Sequence, residues 1–180
     1  MKRLFPALII AVLIAALILS DVHPTIAEER AMPPASPLRV ERTVKLRPGP
    51  DVTNYDDTNI VSGAPTTNYG NYESVYTGQS SGSMGRMLLR FDLSKLPEDA
   101  NITSASLTLT IYADYSNNTR TYRAYRVTRP WVESQATWND YATSSAWETV
   151  GAAGASDREA TDIGSASIAH DAAVNSQVVF

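Results

Sequence analysis

Apolar residues recur at every second position in short runs along this chain, and clusters of turn-forming residues separate the runs. Leu38, Val40, Val44 and Leu46 oppose Arg39, Glu41 and Lys45, which predicts a half-buried strand with a slip near Arg42-Thr43. Pro48-Gly49-Pro50 ends it. A short strand over 58–61 and a turn at Ser62-Gly63-Ala64-Pro65 come next. Residues 73–77 predict another strand, closed by a polar loop over 78–85. Met87, Leu89 and Phe91 then point one way and Leu88, Arg90 and Asp92 the other, the pattern of a central strand. Residues 105–113 alternate most cleanly, with Leu107, Leu109 and Ile111 inward and Thr108, Thr110 and Tyr112 outward. An Asn- and Ser-rich turn over 114–119 predicts that 120–128 returns as the hairpin partner. Beyond Ala142 aliphatic residues thin out, leaving long loops and one strand near 166–169. Val178-Val179-Phe180 reads as a strand cut short. No run after residue 20 holds a helical period, so the folded part is all-β, a sandwich or barrel.

The N-terminus follows a different rule. Lys2 and Arg3 precede an apolar stretch over 4–19 interrupted only by Pro6, and a polar segment ends in Thr25-Ile26-Ala27. That order of basic, apolar and small residues suits an export signal. Residues 1–27 are therefore expected to be a signal peptide or an N-terminal anchor, the apolar run lying at the short limit of the roughly 17–25 residues a bilayer span needs. Residues 28–37 hold three prolines without periodicity and read as a linker. Residues 38–180 are left as the domain, secreted, extracellular or held at the cell surface.

Composition narrows the function. The chain has 180 residues and no cysteine, so neither a disulfide nor a lipid-bearing thiol anchors it. Its formal net charge of -4 lacks the basic footprint that nonspecific nucleic-acid binding requires. Contact with a membrane is expected only through the N-terminal segment. There is no G-x-S-x-G, H-E-x-x-H or phosphate-binding loop, and His170, the one histidine after the signal, sits in a low-complexity stretch. Asp92 and Glu133 would be the carboxylates of a small lyase or hydrolase only if they met across a cleft. Asn101-Ile102-Thr103 and Asn117-Asn118-Thr119 match glycosylation sequons, relevant in a eukaryotic secretory pathway. The expectation is a protein that is not an enzyme.

Several ordered blocks carry a resemblance. Val44-Lys45-Leu46-Arg47-Pro48 precedes Asp57-Thr58-Asn59-Ile60 and Pro65-Thr66-Thr67-Asn68-Tyr69-Gly70. Arg86-Met87-Leu88-Leu89-Arg90-Phe91-Asp92-Leu93-Ser94 and Leu96-Pro97 follow, then Ile102 to Leu109. Tyr125-Arg126-Val127-Thr128, Trp131-Val132-Glu133, Thr137-Trp138-Asn139 and Gly151-Ala152 close the series. In this order the blocks resemble the DNRLRE domain, or disaggregatase-related repeat, a group that overlaps carbohydrate-binding module family 96. The resemblance spans about residues 43–180. It implies a secreted jelly-roll-type β-sandwich, here lacking its C-terminal strands. It also implies a noncatalytic module that binds polysaccharide, including acidic polysaccharide such as alginate, beside a catalytic or surface module. The rival expectation is a structural adhesion module without a sugar site.

Candidate ligand residues lie on the expected 105–127 hairpin. One register sets Arg123 and Tyr125 beside Tyr112, and the other sets Tyr122 and Arg126 there. In both, an arginine suits a uronate carboxylate and a tyrosine offers a stacking face, while a plain solvated sheet face explains the same letters. Trp131 and Trp138 read as core packing or as stacking platforms. Trp147, in a polar stretch, is a candidate for ligand contact or for packing. Asp56, Asp57 and Asn59 offer oxygen ligands for a structural Ca2+, although turn-forming roles account for the same residues and no other cofactor is expected.

Overall fold

The computed structural model describes residues 8–17, 43–46, 55–94 and 96–180. The 28–37 linker, residues 38–42 of the first expected strand and Pro48-Gly49-Pro50 lie outside the described residues. Among those described, every regular element is a strand, which bears out the all-β reading.

The strands are β1 (Leu8–Leu17), β2 (Val44–Leu46), β3 (Tyr55–Val61), β4 (Val75–Ser80), β5 (Ser83–Phe91), β6 (Leu107–Ala113), β7 (Arg120–Ala124), β8 (Asp140–Ala142), β9 (Ser145–Ala146), β10 (Gly164–Ile168) and β11 (Gln177–Val179). The main sheet runs β11-β6-β1-β4-β5-β3, with β2 added on β1. A second sheet pairs β10 with β7, and β8 pairs with β9. All these pairings are antiparallel.

β5 is central, between β4 and β3, as its alternation predicts. Its two faces serve two clusters. Met87 and Leu89 pack against Leu109, Ile111, Ile168 and Val178, the core between the sheets. Leu88 turns the other way and joins Ile60, Trp131, Ala136, Trp147 and Ala152. Arg86 and Arg90 share that second face, because they are two residues either side of Leu88.

Two expectations about connections are corrected. The polar stretch 78–85 is not a loop: Gly78 pairs with Gly85 and Ser80 with Ser83, leaving a two-residue turn. Ser81 and Gly82 both take positive φ, 49° and 82°, as a tight hairpin turn requires. The strand was hidden because its residues are small and polar, with no apolar alternation to reveal it.

The second correction concerns 105–127, which is not a hairpin. β6 pairs with β1 and β11 on its two edges, so no edge remains for β7, which pairs with β10. Asp114 directs the crossing. Its Oδ1 accepts from the Ser116 N–H at 2.7 Å and its Oδ2 from the Ala172 N–H at 3.2 Å, tying the turn to the connection between β10 and β11.

The apolar N-terminal run supplies β1, which pairs with β4, β6 and β2. Its length of β-branched and aliphatic residues is compatible with an interior strand, which needs no polar alternation.

Candidate ligand-binding cleft

Two loops fasten the second face of β5 and β3. Asn68 donates through Nδ2 to the carbonyls of Glu133 and Ala136, at 2.7 and 2.8 Å, and its Oδ1 accepts from the Gly70 N–H. A Cβ on Gly70 would sit 2.4 Å from the Glu133 carbonyl oxygen, so the Pro65–Gly70 block must end in glycine. Thr137 Oγ1 accepts from the N–H groups of Asn139 and Asp140, closing the turn around Trp138. Gly151, at φ 78°, lies where a Cβ would meet the Trp138 ring at 2.7 Å. The motif blocks are thus fastenings of the fold.

The loop 147–158 folds around one carboxylate. Asp157 is fully buried and accepts from the N–H groups of Glu148, Thr149 and Gly154 at 2.9 to 3.0 Å, and from Arg129 Nε at 3.3 Å. Burial by itself raises such a carboxyl's pKa, but these donors outweigh it and hold Asp157 below the ordinary carboxylate value. Nothing in the Gly- and Ala-rich sequence pattern marks this residue.

Beside these fastenings a cleft of about 1430 Å³ opens, lined by β4 and β5 on one side and by residues 115–131 on the other. Arg86 and Arg90 enter it from β5, Arg120 and Arg123 from β7, and Arg126, Arg129 and Arg158 from the paired segments beyond. No carboxylate is among its described lining residues. In a protein of net charge -4, this concentrates positive charge at one place.

Aromatic rings hold several of these guanidinium groups. Arg90 lies 5.0 Å from the Trp131 ring centre, Arg86 5.1 Å from Trp138, and Arg158 3.7 Å from Tyr125. Four of the seven are paired with carboxylates that sit outside the lining. Arg90 bonds Asp56, Arg123 lies 2.5 Å from Asp162, Arg126 3.0 Å from Glu159 and Arg129 3.3 Å from Asp157.

The expected ligand residues divide. Tyr122, Arg123, Tyr125 and Arg126 all line the cleft. Tyr112 does not: it is 63% exposed on β6, away from the cleft lining. Trp147 is a correction to its reading as a ligand contact. It is only 4% exposed, packs against Tyr141, and its Nε1 donates to the Thr137 carbonyl at 3.0 Å. Trp131 is likewise core, and Trp138 packs beside it. Apart from Ile60 and Leu88, the cluster around Trp147 is built from loop residues, which show no periodicity to read.

Asp56 and Asp57, as strand neighbours, project to opposite faces. Asp56 engages Arg90, while Asn59 is fully buried and spends its carboxamide on the Ser74 carbonyl and the Tyr76 N–H. These three residues share no pocket, and no metal-holding group of three or more His, Cys, Asp or Glu occurs among the described residues. Asp57 lies near Glu133, whose Oε1 accepts its N–H at 2.9 Å. Burial first, then the charges of Glu133 and Asp56, push the Asp57 carboxyl up to about 6. Neither Asp92 nor Glu133 lines the cleft, and His170 Nδ1 lies against its neighbour Asp171 at 3.0 Å.

An all-β sandwich with an open cleft of arginine and aromatic side chains is the architecture of a ligand-binding module. The ligand class follows from the family: the chain belongs to carbohydrate-binding module family 96, whose model matches residues 50–176. That span takes in both walls of the cleft and leaves β1 and β2 outside. No curated protein and no solved structure matches the chain.

Proposed function

We propose that this carbohydrate-binding module takes an acidic polysaccharide along the cleft between β5 and 115–131, without catalysing its cleavage. The observation that carries this reading is the lining itself, with seven arginines and no carboxylate among the described residues. Three of the seven, Arg86, Arg120 and Arg158, have no carboxylate partner among the described residues, and to the uronates of a polyanion they offer planar donors that bind carboxylates in pairs. The exposed Tyr115, Met84 and Leu93 of the lining offer the ring face and hydrocarbon that a sugar's C–H side packs against. The basic-then-apolar N-terminus supports export, which agrees with a polymer found outside cells.

Affinity electrophoresis in gels containing alginate, polygalacturonate or a neutral glucan tests the proposal. Retardation by the polyanions that weakens as salt rises supports it. Equal retardation in the neutral gel, or none in either acidic gel, removes it. Digests of the same polyanions are expected to release no reducing ends or unsaturated uronates.

A further inference from the structure

Three of the seven cleft arginines, Arg86, Arg120 and Arg158, have no carboxylate partner among the described residues. All three line the cleft, and two of them, Arg86 and Arg158, are held by aromatic rings. Arg86 is half-buried, and after burial the charge of Arg158 is the main influence holding its guanidinium below the ordinary arginine value. Two guanidinium groups that line one cleft repel each other unless an anion lies between them.

The two side chains are also held ready. Arg86 lies over Trp138 and donates through Nη1 to the Gly151 carbonyl. Arg158 lies flat on Tyr125, and the backbone bridge between Val127 and Arg158 fixes its stem. Stacking occupies the faces of the guanidinium groups and leaves their N–H edges to other partners. Arg86 spends its Nη2 on the Met84 sulfur at 3.5 Å, but Arg158 Nη1 is buried and has no hydrogen-bond partner among the described residues. Buried donors are rarely left so, and each one wants an explanation. Every other charged partner of the cleft arginines is an exposed or buried carboxylate of the protein itself. Here the described residues supply none.

We propose that Arg86 and Arg158, with Tyr125 as the floor, form a subsite for one oxyanion group of the polysaccharide, a uronate carboxylate or a sulfate ester. This rests on the acidic-polysaccharide reading above and gives that reading a fixed register. One acidic sugar is anchored at the Arg86–Arg158 pair, and the rest of the polymer runs along the cleft past Arg120 and Arg123.

The test titrates the full chain, by calorimetry at low salt, with polygalacturonate and with dextran sulfate. Variants are Arg158→Met, which keeps the stem and loses the charge, Arg158→Lys, and Arg120→Gln as a cleft arginine outside the pair. Arg158→Met is expected to weaken polyanion binding at least tenfold, Arg158→Lys to restore part of it, and Arg120→Gln to cost less than threefold. Loss confined to polygalacturonate names a carboxylate, and loss confined to dextran sulfate names a sulfate ester. Wild-type affinity in Arg158→Met, with polyanion binding otherwise intact, overturns the subsite while leaving the proposed function standing. Failure of the wild type to bind either polyanion overturns both.

Thermal unfolding of each variant separates lost binding from lost folding. Should Arg158→Met not fold, the ligand is neutralised instead. Methyl-esterified polygalacturonate is expected to bind the wild type at least tenfold more weakly than the free acid, and equal binding overturns the subsite.

Discussion

Asn68 reaches Glu133 across 65 positions of the chain and holds its carbonyl at 2.7 Å through the side-chain amide. The same carboxamide serves Ala136 and Gly70, so one side chain ties the loop after β3 to the loop that carries Trp131 and Trp138. Asn68→Ala leaves these partly buried backbone groups without partners. The expected cost is about 2–4 kcal/mol, read as a lower urea midpoint with an unchanged slope.

Asp157 is a stronger fastening, since four donors converge on a buried charge. Asp157→Ala should destabilise by about 3–5 kcal/mol, because Arg129 and three N–H groups lose their acceptor. The pH dependence has a definite sign. A carboxyl whose folded pKa lies below its unfolded value stabilises the fold above the unfolded pKa, and that contribution is lost as pH falls through the folded value. The wild type should therefore lose stability on acidification below about pH 4, and Asp157→Asn should lack that part of the profile.

Asp57 acts in the opposite direction. Its pKa is pushed up to about 6, so ionisation costs folding energy in the native state. The penalty is absent below the unfolded value, grows from about pH 4 to about pH 6, and is complete above that. Asp57→Asn is expected to raise the melting temperature at pH 8 and to leave it unchanged at pH 4. A gain of equal size at both pH values would mean that charge is not the cause.

Tyr112 and Trp147 both lie outside the cleft lining. Tyr112→Ala, on the exposed face of β6, should leave polysaccharide affinity and stability as they are. Trp147→Ala should cost about 3–5 kcal/mol of stability, seen by chemical unfolding, because it empties a packed site between Tyr141 and Ala152. Tyr125→Ala, by contrast, removes the platform under Arg158 and should weaken binding.

Legibility followed the source of each residue's partners. β5 and β6 stood out because alternation reports a face to be buried, whatever covers it. The partner of β7 did not, because the choice between β6 and β10 depends on whether β11 and β1 already hold the edges of β6. Those strands come from the far ends of the sequence. The cleft residues Tyr122, Arg123, Tyr125 and Arg126 were found through residue type on an adjacent strand pair that does not form. They are brought together instead by the path of 115–131 beside β5. Arg86 was legible in principle, two residues from Leu88 on the same face. Arg158 was not, since its neighbours Ser156, Asp157 and Glu159 give no period and its partner Tyr125 lies on a different segment.

The seating of Leu8–Leu17 between β4 and β6 bears on the order of events during synthesis. The segment leaves the ribosome first, yet both strands that flank it are made much later, and pairings of such long range close slowly. Residues 8–17 therefore take their place in the middle of the sheet only once residues 75–113 have been made.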